Sequence, residues 1–177
     1  MKKQKFFLCL LAVSVLFAVL SGCQTTEIPE DDPDWIVGNW TTVVREDDRE
    51  HGEVMSIVTE FTYTFLADGN GCINDSAWIS HPGTDWEIAG KGYVETYFAY
   101  TLEGNILTIT HTGNEFEEYP EEEQETIRYT IVRNADGTVI WAPEDGGNSR
   151  THRKGTYDLP VEDLLILYGL NPSPLEE

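Results

Sequence analysis

The chain is poor in the residues from which most chemical sites are built: 177 residues contain three cysteines, four histidines and only 11 lysines and arginines. Cys9 and Cys23 stand near the start and leave Cys72 alone in the remainder, and no Cys-x-x-Cys occurs. A zinc ribbon and a thioredoxin-like redox site are therefore excluded, and after Cys23 no internal disulfide can form. A lone thiol reads as a small buried hydrophobe. His51, His81, His111 and His152 are far apart and make no His-x-x-x-His pair, so no metal site is expected. There is no Gly-x-Ser-x-Gly elbow and no phosphate-cradling glycine loop. Glu115, Glu117, Glu118, Glu121, Glu122, Glu123 and Glu125 are numerous enough for the paired carboxylates of glycoside chemistry. A run of this kind in one polar loop reads as solvated, and none is marked out as an acid of raised pKa. The chain thus reads as a non-enzyme without a cofactor. Positive charge is scarce too: 32 aspartates and glutamates set the net charge at −21, which repels nucleic acid and anionic headgroups and attracts cations and basic proteins.

What is present begins with Lys2, Lys3 and Lys5 and a greasy run from Phe6 to Leu20, the charged and apolar regions of an export signal. Fifteen residues are too few for a spanning helix, which needs about 20. The run ends in Leu20-Ser21-Gly22-Cys23, which resembles a bacterial lipobox. The resemblance implies a lipoprotein signal peptide over 1–22, cleavage before Cys23, and lipidation of its sulfur with diacylglycerol and palmitate-type chains. An uncleaved anchor helix and an ordinary secretory signal are the alternatives. Cleavage would leave 155 residues with a net charge of −24, held to a membrane by acyl chains that contribute ~0.8 kcal/mol per buried CH₂. The expected location is the extracytoplasmic side of the cell envelope: the outer membrane if the cell has one, which Gln24 permits, otherwise the cell membrane.

Residues 23–34 follow as an acidic, proline-bearing tether that would span roughly 15 to 20 Å as a coil. From Trp35 the texture changes to short runs of Val, Ile, Thr, Tyr and Phe divided by Gly, Asn and Asp, the alternation of strands. Strands are expected over 35–44, 54–66, 72–79, 93–102, 106–112, 125–133, 138–141 and near 151–157. Asp68-Gly69 and Asn70-Gly71 supply the positive φ of a tight hairpin, and 80–92 and 113–124 read as loops. In the second strand Ile57, Phe61, Tyr63 and Phe65 share one face, with Glu60, Thr62 and Thr64 on a face expected to meet water. Pro160 to Tyr168 reads as a helix closed by Gly169, with Val161, Leu164, Leu165 and Tyr168 in one apolar stripe.

These elements predict a single all-β domain over 35–170, about eight antiparallel strands closed as a barrel or paired as a sandwich, with a short C-terminal helix and a tail over 171–177. Gly38-Asn39-Trp40 is similar to the Gly-x-Trp that opens lipocalins, and the phrases Phe65 to Gly71 and Leu102 to Ile109 resemble those of bacterial lipocalin-like domains that follow lipoboxes. The resemblance implies a barrel with Trp40 as the structural plug of its closed end and an arginine of the last strand, Arg150 or Arg153, laid over it.

Two functions are open at this level. In one, the barrel is a cup for a small apolar or amphipathic ligand, with Phe61, Tyr63, Phe65, Trp78, Tyr93 and Tyr97 as inward candidates; the same residues would fill the core if no cavity exists. In the other, the acidic surface binds or inhibits a basic protein such as lysozyme.

Overall fold

The computed structural model describes residues 33–48, 55–91 and 95–173. The export signal, Cys23 and nearly all of the tether lie outside the described residues, as do His51 and Tyr93.

Nine strands form one sheet: β1 Gly38–Asp48, β2 Met55–Phe65, β3 Asn70–Ser80, β4 Glu87–Lys91, β5 Thr96–Glu103, β6 Ile106–Asn114, β7 Thr126–Arg133, β8 Val139–Pro143 and β9 Arg150–Lys154. Eight of them close as β1-β2-β3-β5-β6-β7-β8-β9, with β9 returning to β1, so the fold is a lipocalin-like all-β barrel. Every pairing is antiparallel, as hairpin connections require. The ninth, β4, falls in the stretch expected to be a loop. It has few β-branched residues to announce it, and it forms because β3 runs past the point where β5 leaves: Ser76 to Ile79 pair with β4 whereas Asn70 to Ile73 pair with β5. The first strand begins at Gly38, because Pro33–Ile36 forms a 3₁₀ turn instead of extending the strand back to Trp35.

That turn stoppers one end of the barrel. Trp35, Ile36 and Trp40 are all buried, the Trp40 indole N–H donates to the Ile36 carbonyl at 2.7 Å, and the Trp35 and Trp40 rings meet edge to face at 5.5 Å. Trp40 therefore plugs the closed end. The cation over it differs from both expected arginines: Lys154 Nζ stands 5.6 Å from the Trp40 ring and donates to the Trp35 carbonyl at 3.0 Å, while Arg133 lies 4.1 Å over Trp35. The β1–β9 register explains the substitution, because Trp40 is opposite Lys154 and Thr41 is opposite Arg153. Lys154 thus shares the inner face with Trp40. Arg153 faces out, over Tyr168, and Arg150 lies four residues nearer the open end, 5.6 Å over Phe61.

Above the stopper the barrel is filled by aromatics. Tyr63, Phe65, Phe98 and Trp141 are buried and meet one another, with Tyr100 and Tyr129 at the margin. Gly71 fits this packing because it has no side chain: a Cβ there would stand 2.3 Å from the Thr64 carbonyl oxygen and 2.4 Å from the Phe98 ring.

The helix α1, Val161–Leu167, packs on the outside wall. Val161, Leu164 and Leu165 bury against Val43 and Val58, with Trp78, Trp86 and Tyr168 around them. The Tyr168 hydroxyl donates to the Thr41 carbonyl, and Arg45 donates to the carbonyls of Asn171 and Ser173. The start of the expected tail is therefore fastened to the wall. One expectation fails beneath α1: Glu60 was placed on the water-facing side, but it is only 9% exposed, since the helix lies over that face. Burial, reinforced by Asp158 and opposed by Lys91, raises its pKa.

Candidate functional site

The open end of the barrel is a cup. Strand alternation decides what lines it, because neighbours across a register share a face. Phe61 is opposite Asp75, Tyr63 is opposite Ile73, Ile73 is opposite Thr96, and Phe98 is opposite His111, so one face of β2, β3, β5 and β6 supplies the first half of the lining. Tyr129, Trp141, Arg150 and His152 supply the other half from β7, β8 and β9.

Two adjoining cavities occupy this interior. The first, about 440 Å³, is walled by Phe61, Tyr63, Ile73 and Thr96, with Asp75, Tyr119, Glu123 and Glu125 around it. The second, about 290 Å³, lies between Ile127, Tyr129, Trp141 and Pro143, with Arg150 and Asp145 beside it and His152 at its base. Tyr63 and His111 line both. The segment read as a solvated acidic loop contributes part of the wall. Its hairpin is held by Tyr119 N–H to the Thr112 carbonyl, and the 3₁₀ turn Glu121–Glu123 then brings Glu123 and Glu125 beside the first cavity.

The floor is polar and incompletely satisfied. His152 is 1% exposed and stacked on Trp141, ring centroids 3.7 Å apart. Burial pushes its pKa down to about 3, so the imidazole is neutral at physiological pH. The contact of Nδ1 with the Arg150 carbonyl at 3.2 Å assigns the proton to Nδ1 and leaves a lone pair on Nε2. That Nε2, and the Trp141 indole N–H, have no hydrogen-bond partner among the described residues. Tyr63 is 9% exposed and burial raises its pKa. Buried polar groups without partners are uncommon in folded proteins, and a pair of them beside a cavity is a place where a ligand group or water can be held. No family model matches the chain, and no curated protein matches it either.

The expected ligand residues divide. Phe61 and Tyr63 line the cup. Phe65 points inward but lies below it, in the core at 1% exposure. Trp78 and Tyr97 are corrections: they were expected to face in, yet the register aligns Trp78 with Val58 and Tyr97 with Cys72 on the outer face. Trp78 is covered by the helix cluster and Tyr97 is 38% exposed, its hydroxyl donating to Glu95. An aromatic residue in a strand marks a packed face without saying which, and here α1 gives the outer face apolar cover of its own. Tyr93 lies outside the described residues.

Sequence reasoning missed Tyr129, Trp141 and His152 as lining residues. They alternate in β7, β8 and β9, but the alternation alone does not say which phase faces in; the pairings through β9 to Trp40 decide it. His111 and His152 looked unrelated at 41 positions apart, and closure of the barrel puts both against the second cavity. Cys72 lies on the outer wall, where burial and the neighbouring Glu95 carboxylate push its thiol up to about 11, so it stays protonated. Among the described residues no helix is long and apolar enough to cross a membrane.

Proposed function

We propose that this chain is an acylated envelope lipoprotein, anchored through Cys23, whose barrel holds a small amphipathic molecule and which acts as a binding module instead of an enzyme. The observation that carries the reading is the cup: two adjoining cavities of about 440 and 290 Å³ at one end of a barrel whose other end is sealed by Trp35, Ile36 and Trp40. These volumes fall at or near the range of about 300 to 1,000 Å³ in which small-molecule sites occur, and aromatic and aliphatic walls alternate with polar and charged groups, which suits an amphipathic occupant. The anchor rests on the sequence of 1–23 alone.

The competing function is capture of a basic protein by the acidic surface, and salt separates the two. An uncharged apolar dye enters by burial, so its affinity should change little with ionic strength. A basic protein held by long-range charge should bind far more weakly as the Debye length falls from about 30 Å at 0.01 M to about 8 Å at 0.15 M. The test is titration with a neutral naphthylamine dye and, separately, with lysozyme at both salt concentrations. Saturable dye binding at both, without lysozyme binding, supports the cup; lysozyme binding that survives 0.15 M salt, without dye uptake, overturns it.

A further inference from the structure

The two cavities of the cup differ in charge. Asp75, Glu123 and Glu125 all border the larger one and no lysine or arginine does, whereas in the smaller one Asp145 is matched by Arg150. None of the three carboxylates is in an ion pair among the described residues, where the salt bridges are Arg45 with Asp47 and Arg128 with Glu144. They do not converge: no three His, Cys, Asp or Glu side chains among the described residues are grouped closely enough to hold a metal ion. Carboxylates spaced around a chamber of about 440 Å³ suit a cation with a body of its own. The rest of the wall agrees, since Phe61, Tyr63 and Tyr119 present aromatic rings, whose faces attract ammonium groups.

Acidic residues lining a cavity would mean little by themselves. Here a second feature points to an occupant: Tyr63 is common to both cavities, and in the adjoining one the buried Nε2 of His152 and indole N–H of Trp141 have no hydrogen-bond partner among the described residues. A donor and an acceptor left open beside an acidic aromatic chamber describe a molecule with a positive head and a less polar body bearing an uncharged polar group.

We infer that the ligand is an organic amine or quaternary ammonium compound, seated with its cation in the larger chamber among Asp75, Glu123 and Glu125 and its body over Trp141. This rests on the cup reading and narrows it. Fatty acids and other anionic amphiphiles are disfavoured by the same carboxylates. Arg150 lines the smaller chamber and not the larger, so a cation is further disfavoured in the smaller one, which sets the orientation.

The test uses three probes with one body: 3-phenylpropyltrimethylammonium, 3-phenylpropanol and 3-phenylpropanoate. Each is titrated calorimetrically into the full-length chain in lipid nanodiscs at 0.15 M salt, with empty discs as the blank. The cation should bind about tenfold or more tighter than the alcohol, and the carboxylate more weakly than the alcohol. In Asp75→Asn/Glu123→Gln/Glu125→Gln the preference for the cation should vanish while the alcohol still binds, which also shows that the barrel is intact. A control removing three distant charges, Glu87→Gln/Glu103→Gln/Glu162→Gln, should keep the preference. Equal binding of cation and alcohol, preference for the carboxylate, or equal loss of preference in the control variant overturns the inference. If no probe binds but the neutral dye does, this inference falls and the cup stands; if the dye fails as well, both fall.

Discussion

His152 should make the domain acid-sensitive in a way that one substitution removes. Its imidazole is 1% exposed, stacked at 3.7 Å on Trp141, and carries its proton on Nδ1 toward the Arg150 carbonyl. Burial depresses its pKa from 6.5 to about 3 in the folded protein. The folded state therefore does not take up the proton that the unfolded chain accepts below pH 6.5. Above 6.5 the group is neutral in both states and has no effect; as pH falls from 6.5 toward 3 stability is lost at about 1.4 kcal/mol per unit, and below 3 the loss levels off. Between pH 7 and pH 5 this amounts to about 2 kcal/mol, a sizeable share of the 5 to 15 kcal/mol typical of a domain. Glu60 works the other way over part of the range, since its raised pKa favours the folded state as pH falls. A wild-type curve alone would mix the two. The variant His152→Phe isolates the histidine, because phenylalanine keeps the stack on Trp141 and removes the titration. Urea unfolding followed by tryptophan fluorescence at pH 7, 6 and 5 should show the variant gaining about 2 kcal/mol on the wild type between the ends of the series. A gap that does not change with pH, or a folded-state imidazole resonance titrating near 6.5, would refute the argument and place His152 in contact with water.

Three further predictions follow from other parts of the molecule. Trp40→Ala removes a 1%-exposed plug and leaves a cavity, costing about 3 to 5 kcal/mol; an unchanged melting temperature would show that the closed end does not depend on it. Gly71→Ala places a Cβ 2.3 Å from the Thr64 carbonyl oxygen, so Phe98 and the β2–β3 hairpin must shift, at a cost of about 1 to 3 kcal/mol that denaturant unfolding measures; a neutral result would mean that the ring moves freely aside. Labelling with an alkyne fatty acid should mark the wild-type chain and not Cys23→Ser, and the variant should leave the membrane fraction; equal labelling of both sinks the lipoprotein proposal.

The sequence by itself determined the class of fold, because alternation with period two and turn residues with positive φ are local properties. Phe61, Tyr63 and Phe65 fall on one face whatever the strand pairs with, and Asp68-Gly69 turns the chain back wherever it lies. The Trp40 plug came only from the resemblance of Gly38-Asn39-Trp40 to the lipocalin opening, not from local rules, which started the first strand at Trp35. Local information runs out at the question of which face is inside. Trp78 and Tyr97 have the same β propensity as Phe61, and only the register turned them outward, where α1 covers Trp78 and the face that carries Glu60 while Tyr97 stays 38% exposed. It also cannot give the distance between strands far apart in the chain. Lys154 stands over Trp40, and His111 and Trp141 share a cavity, because the barrel closes with a particular stagger, and stagger is a property of all eight strands together. The same holds for the acids: in the sequence Asp75 is isolated and Glu123 and Glu125 belong to a solvated run, and only the tertiary structure sets them around one chamber.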